Sequence, residues 1–221
     1  MADTYDAATE WRNYIDVVFA REGHYMSSVG GQGVDNPSRQ FLLGVVREYL
    51  KEHPEEQVAL FDVGCATGVD YEVLRGAKLP SNWQYTGADL VTKLILRARS
   101  FFPKKENPNL QTFVQRDIRK LYRFEDKSFD IVWVRHVLGH LPGYSEAIAE
   151  VCRVCKGILL LIFPDKPAET ESVYRSYVAE GAILYANVYS YKDIEDCLRE
   201  NGFVNVVWEV AGDYICVAKR E

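Results

Sequence analysis

At 221 residues and 25.3 kDa, the chain can bury a proper core as one α/β domain with additions. Its 48% hydrophobic and 26% charged residues exclude a disordered polymer, and its net charge of −6 argues against nucleic acid as the main partner. The longest apolar run, Ile158 to Phe163, is far too short to span a bilayer, and the acidic start Met-Ala-Asp-Thr-Tyr-Asp has no apolar signal core. A cytoplasmic protein without a membrane partner is therefore expected.

Residues 9–24 read as an amphipathic helix with Trp11, Tyr14, Ile15, Val18 and Phe19 on one side. A flexible loop, Ser27 to Asn36, follows. Asn36-Pro37-Ser38 opens a second helix that runs to about His53. From there strands and helices alternate: a strand over Val58–Val63 and a helix from Val69 through Leu74, a strand over Trp83–Asp89 and a helix over Thr92–Phe101, then a strand over Leu110–Gln115. A strand over Phe129–Val134, a helix over Tyr144–Val154 and a strand over Gly157–Phe163 complete the series. This alternation predicts a doubly wound, mostly parallel sheet with helices on both faces and right-handed crossovers. The end breaks the rhythm. A helix over Tyr191–Asn201 is stopped by Gly202, and strands over Phe203–Val210 and Tyr214–Lys219 are joined by Ala211-Gly212-Asp213. So short a link joins only antiparallel neighbours.

The most telling stretch is Val58-Ala-Leu-Phe-Asp-Val-Gly-Cys-Ala-Thr-Gly68, an apolar run that ends in an acid and a loop with two glycines. Gly64 and Gly68 remove side chains where a ligand could lie against the backbone. Such a loop before a helix marks a binding crevice at the carboxyl edge of a parallel sheet. Asp62, Asp89 and Asp117 sit where loops leave the first three strands, so they line that one crevice. Asp89 lies 21 residues beyond Gly68, close to the roughly 20 expected of an acid that accepts bonds from ribose hydroxyls.

Five scattered cysteines form no disulfide framework and are expected reduced; Cys152-Arg-Val-Cys155 lacks a second pair of metal ligands and reads as buried small residues. Nine basic residues between Lys93 and Arg123 stand against Glu106 and Asp117, and read first as a solvated outer face.

In this order the motifs resemble the class I S-adenosylmethionine-dependent methyltransferases over about residues 40–163 and 190–221. Asp62-Val-Gly-Cys-Ala-Thr-Gly68 is similar to the family's first motif, with Ala66 where its middle glycine stands. Gly-Ala-Asp-Leu90 resembles the ribose-holding segment and Gln115-Arg-Asp-Ile118 the adenine-contacting one. Phe129 to Leu141 resembles the fourth strand and its turn, and Val151 to Gly157 the approach to the fifth. The resemblance implies a seven-stranded sheet of order 3-2-1-4-5-7-6 with strand 7 antiparallel, and S-adenosyl-L-methionine as cofactor. It implies cofactor contacts from Asp62, Gly64, Cys65, Ala66, Gly68, Asp89, Leu90, Asp117, Ile118, Arg135 and His136. Asp62 is expected to fix the loop by accepting backbone N–H bonds, and Ala66 to leave the loop intact.

The resemblance also turns the transferred methyl group towards the end of strand 4, which brings Arg135 and His136 near the reaction. His136 either serves as general base or packs against the cofactor. Two segments outside the shared core are expected to build the acceptor pocket: an N-terminal lid within residues 1–40, and an insertion over residues 164–191. Trp11, Tyr14, Tyr25, His140, Tyr174, Tyr177 and Tyr185 are the candidate acceptor contacts, since aromatic rings with polar tips suit a small ring-bearing or hydroxylated acceptor. No metal is expected. The leading expectation is therefore methylation of a small molecule, on oxygen first and nitrogen next, by a single domain that is a monomer or homodimer. Three alternatives stand beside it: a methyltransferase acting on nucleic acid or protein through the basic 93–123 edge, a catalytically silent cofactor-binding protein, and an NAD-dependent oxidoreductase. The last is disfavoured because Gly64-x-x-x-Gly68 lacks Gly-x-Gly-x-x-Gly and the terminal hairpin is wrong for it.

Overall fold

The first element described in full is set by its cap. In a computed structural model that describes Thr9, Tyr14 and residues 35–103 and 111–220, Asn36 accepts a hydrogen bond from the Ser38 amide at 2.9 Å, and Pro37 sits in the first turn of α1 (Pro37–Glu52). Six more elements follow: β1 (Val58–Val63), α2 (Val69–Gly76), β2 (Trp83–Asp89), α3 (Thr92–Phe101), β3 (Gln111–Gln115) and β4 (Phe129–Arg135). A short 3₁₀ turn, Leu138–His140, leads to α4 (Ser145–Val154) and β5 (Cys155–Phe163). The chain ends with β6 (Ser176–Ala179), β7 (Ala182–Tyr185), α5 (Tyr191–Glu200), β8 (Phe203–Ala211) and β9 (Asp213–Arg220).

The main sheet has seven strands in the order β3-β2-β1-β4-β5-β9-β8, parallel from β3 to β5, with β9 antiparallel to both its neighbours. This is the predicted order, with the last two strands renumbered because the insertion adds a hairpin of its own. Helices α1, α2 and α3 cover one face with Leu42, Val46, Leu74 and Ile95 against Leu60, Trp133, Leu160 and Ile215. Helices α4 and α5 cover the other with Ile148, Val151, Ile194 and Leu198 against Phe61, Val132, Leu161 and Cys216.

Three differences from expectation have local causes. Strand β4 runs one residue further, to Arg135, because that residue still pairs with Ile162 of β5. Strand β5 begins at Cys155 rather than Gly157, directly after α4, because Cys155 already pairs with Phe129. The Cys152–Cys155 pair thus spans a buried helix–strand junction; both thiols are free, and burial pushes the Cys155 thiol up to about 12. Finally, Ser176 to Tyr185 folds into the unpredicted β6–β7 hairpin. Its two turn residues, Glu180 and Gly181, have φ of 51° and 79°, the left-handed pair that a tight hairpin needs.

The expected first helix and the Ser/Gly loop, with Trp11, His24 and Tyr25, lie outside the described residues, as do Lys104, Lys105 and Leu110. Thr9 and Tyr14 are helical. The basic stretch is partly engaged within the fold. Arg99 donates to the Phe113 carbonyl on the edge strand β3 at 2.6 and 3.0 Å, Arg97 stacks on Phe101 and Arg119 pairs with Asp117. Among the described residues no helix is long and apolar enough to cross a membrane.

Candidate active site

The loop between β1 and α2 is held by backbone. The Gly64 and Cys65 amides both donate to the Ala88 carbonyl, at 2.7 and 3.0 Å, and the Gly68 amide donates to Cys65 at 2.8 Å. Gly64 and Gly68 both have φ of 87°. A Cβ on Gly64 would lie 2.1 Å from the Val137 side chain, and one on Gly68 would lie 3.0 Å from Phe102 and Phe113. On the side where a Cβ would stand, the space each glycine leaves is therefore filled by this chain's own side chains. Ala66 adopts a φ of 47°, and it packs with Tyr14 on Val91 and Leu94. Left-handed backbone costs alanine about 1–2 kcal/mol. A glycine there would remove that strain but forfeit a packed methyl, worth about 0.8 kcal/mol, and free the unfolded chain. Ala66→Gly is thus expected to leave stability within about 1 kcal/mol, whereas Ala66→Val, branched at a positive φ, destabilises measurably in urea titration. A large gain from glycine would show that the methyl packs against nothing useful.

Asp62 is buried, and its Oδ2 accepts a hydrogen bond from the Tyr85 hydroxyl at 2.7 Å, not from the loop amides expected. Burial first, then neighbouring Asp70, push its carboxyl well above the usual carboxylate range. Asp70, in the first turn of α2, accepts from Arg39 at 2.6 Å and from the Trp133 indole at 3.2 Å. One loop amide, that of Ala66, is taken by Asp89 instead. Its Oδ2 accepts from Ala66 at 3.0 Å and its Oδ1 from Val91 at 2.8 Å. Burial lifts the Asp89 carboxyl to about 6, and no ion pair reaches it among the described residues. Each of its oxygens keeps lone-pair capacity for a further donor.

Asp117 accepts three bonds from Arg119, the closest at 2.7 Å. Burial pushes its carboxyl up, but those bonds outweigh it and hold it below the usual range. Ile118 is buried within the sheet's second core cluster, and the Leu90 carbonyl takes the Gln115 amide at 3.1 Å.

At the end of β4 the chain turns sharply. His136 has a φ of 55°, and its amide donates to Ile162 at 2.9 Å. Arg135, expected near the reaction, has its guanidinium on Ser38 and Asp213, both at 3.1 Å. It ties β4 to α1 and β9. The His136 Nε2 lies 3.1 Å from the same Asp213 carboxylate, off the line of an ideal hydrogen bond. Burial and the adjacent Arg135 charge lower the His136 pKa against the pull of Asp213, so the ring is neutral at neutral pH.

The insertion is seated on the turn that follows. Asn187 donates to Gly139 through its amide at 2.9 Å and to Leu141 through its side chain at 2.7 Å. The Tyr189 hydroxyl donates to the Leu138 carbonyl at 3.1 Å, and His140 Nδ1 lies 3.1 Å from the Tyr185 carbonyl. A Cβ on Gly139 would meet the Asn187 carbonyl at 2.9 Å. The expected contacts His140 and Tyr185 therefore meet each other, while Tyr174 and Tyr177 stand 59% and 47% exposed on the hairpin side. Asn187, Ser38 and Asp213 went unmarked as site residues because nothing local in sequence distinguishes them.

Residues 61–161 match the family described as "Methyltransferase domain". The fold is that of the class I methyltransferases. Magnesium protoporphyrin IX methyltransferase from Synechocystis PCC 6803, solved with S-adenosylmethionine bound, superposes with a TM-score of 0.67 at 19% identity, covering all of both chains. The 1,6-didemethyltoxoflavin-N1-methyltransferase of Burkholderia thailandensis, solved with 1,6-didemethyltoxoflavin and S-adenosylhomocysteine, gives 0.65 at 16% identity over 100% of this chain and 93% of that one. Among curated proteins, phosphoethanolamine N-methyltransferase 2 of Caenorhabditis elegans is 30% identical over 92 residues, 40% of this chain and 20% of that protein. The chain therefore spans about a fifth of that relative's length. The human N-terminal Xaa-Pro-Lys N-methyltransferase 1 is 23% identical over 171 residues, 74% of this chain and 70% of that protein.

The two solved structures hold S-adenosylmethionine or S-adenosylhomocysteine. The residues of this chain fit such a group: a buried carboxylate with spare acceptor capacity at Asp89, a left-handed loop beside it, and a buried Thr67 hydroxyl in that loop with no partner among the described residues.

Proposed function

We propose that this protein transfers a methyl group from S-adenosylmethionine to a small molecule, on oxygen first and nitrogen next. When bound, the cofactor supplies an already activated methyl group on a sulfonium. What remains for the chain is to hold, align and exclude water, and alignment alone supplies roughly 7–11 kcal/mol in well-oriented cases. In this reading Asp89 holds the ribose hydroxyls, Asp117 and Ile118 flank the adenine, and the loop from Gly64 to Gly68 carries the methionine end. The acceptor lies between the N-terminal segment, the Arg135–His136 turn and the 164–191 insertion.

The observation that carries the acceptor placement is the seating of the insertion, through Asn187 and Tyr189, on the turn after β4. Oxygen comes first because a hydroxyl must lose its proton, and His136 is neutral and able to take one. Nitrogen has its support in the names of the two curated relatives, both N-methyltransferases. The human one also supports a second reading, a peptide amino terminus as acceptor.

The test is formation of S-adenosylhomocysteine in the presence of hydroxylated and amino-bearing small molecules and of an Xaa-Pro-Lys peptide. Turnover with a small hydroxylated or amino compound and none with the peptide is expected; turnover with the peptide alone overturns the small-molecule reading. On the active acceptor, His136→Ala is expected to lower kcat by about 10²–10⁴ with cofactor affinity little changed. A fall in cofactor affinity with kcat retained would make His136 a cofactor contact instead.

A further inference from the structure

The hairpin turn at the far edge of the sheet reaches back into the crevice. Gly212, with φ of 76°, is the one residue between the paired Ala211 and Asp213, and it lies so close to α1 that a Cβ there would meet Pro37 at 3.3 Å. This places the Asp213 carboxylate, 10% exposed, at the start of α1. Its Oδ2 accepts from the Ser38 hydroxyl at 2.5 Å and from Arg135 at 3.1 Å, and lies 3.1 Å from His136 Nε2.

We infer that Asp213 is a positioning residue for the proposed methyl transfer: it fixes the His136 ring with the proton on Nε2 and leaves Nδ1 as the proton-accepting atom. Four observations lead there. Nε2 is buried and, among the described residues, its nearest acceptor is Asp213. The side chain as a whole remains 34% exposed although Nε2 is buried, so part of the ring is open to an acceptor. Asp213 is held ionised: burial pushes its carboxyl up, but Ser38, His136 and Arg135 together bring it below the usual range. An ionised carboxylate only accepts, so the nitrogen that faces it carries the proton. The backbone also contributes, because a non-glycine φ of 55° at the end of β4 is a strain that persists only where surrounding contacts over-determine it.

The charges around the ring come from four elements. Arg135 on β4 disfavours the imidazolium, Asp213 on β9 and Asp70 on α2 favour it, and Ser38 on α1 polarises Asp213. Asp70 is itself paired with Arg39, so Asp213 is the anion that sets the ring. In the reaction the acceptor O–H bond breaks and its proton goes to Nδ1. The oxygen pair then takes the methyl group, the sulfonium becomes a neutral thioether, and the imidazolium returns one proton to solvent. The inference rests on the reading of His136 as a base.

The test uses the full chain and two readouts that need no turnover. Nitrogen-15 NMR of the His136 ring in the parent protein is expected to show the Nε2–H tautomer. In Asp213→Asn, which keeps size and hydrogen bonding to Ser38, the tautomer population shifts and the ring titrates at lower pH, while affinity for S-adenosylhomocysteine by calorimetry is unchanged. With an active acceptor, kcat falls about tenfold to a hundredfold, part of the roughly 10²–10⁴ that a positioned base supplies, and the acid limb of the pH profile moves with the ring titration. An Nδ1–H tautomer in the parent overturns the inference even if Asp213→Asn does not fold, and so does a folded Asp213→Asn with unaltered titration. An inactive protein with the expected tautomer and the expected titration shift retains the positioning and refutes the methyl transfer alone.

Discussion

Asp89→Ala is expected to weaken binding of S-adenosylhomocysteine by about 10²–10⁴-fold. Two ribose hydroxyls donating to one carboxylate are worth roughly 1.5–3 kcal/mol each, and every 1.4 kcal/mol is a factor of about ten. The same carboxylate orders the Ala66 and Val91 amides at 3.0 and 2.8 Å, so its loss also loosens the loop. The parent protein adds a pH signature. Ribose donors favour the ionised carboxylate, and burial has lifted this one to about 6. Affinity is therefore flat above about pH 7 and falls as pH drops through 6, with proton release on binding near that pH. The sign for stability is the opposite. A folded carboxyl raised above its unfolded value of 3.8 contributes stability that is full below 3.8 and is lost as pH rises through about 6. Calorimetry at several pH values checks both, and affinity in Asp89→Ala equal to the parent's would remove Asp89 from the ribose site.

Gly64→Ala is expected to cost about 2–5 kcal/mol. The methyl would sit 2.1 Å from Val137 Cγ2, and crowding of that kind costs about 1–3 kcal/mol. The φ of 87° adds the left-handed penalty of about 1–2 kcal/mol. The two contributions separate in a double-mutant cycle in urea. Val137→Ala removes the clashing methyl group, so in combination it should restore the steric part and leave the backbone part, with a coupling above about 1 kcal/mol. Additive losses would mean that Val137 moves aside freely. Since Val137 follows His136, a loop that shifts to make room would also disturb the ring that Asp213 holds.

The two variants also divide what was legible in the sequence from what was not. The glycine loop, the acid after β2 and the terminal hairpin could all be read before folding, each on a local rule: periods of 2 and 3.6 residues, the φ range of glycine, a spacing of about 20 residues to a ribose acid. The strand order followed from the resemblance to a family and not from any local rule. The same rules passed over Glu180-Gly181, a two-residue turn with a left-handed pair inside an alternating stretch, because the tyrosines around it drew the segment towards a pocket rather than a strand.

What the amino-acid sequence determined by itself was therefore the domain's fold class, its glycine loop and the alternation of its main strands and helices. The tertiary structure alone decided the partners. It put the Tyr85 hydroxyl, not a loop amide, on Asp62, turned Arg135 into a tether and left the loop amide of Ala66 to Asp89. It seated Asn187 on the turn after β4, and it brought Asp213 to Ser38 across 175 residues of chain. The physical reason is one of range. Backbone conformation and burial patterning depend on a few neighbouring residues, while hydrogen-bond partners and the charge state of a buried group depend on whatever the topology folds against it.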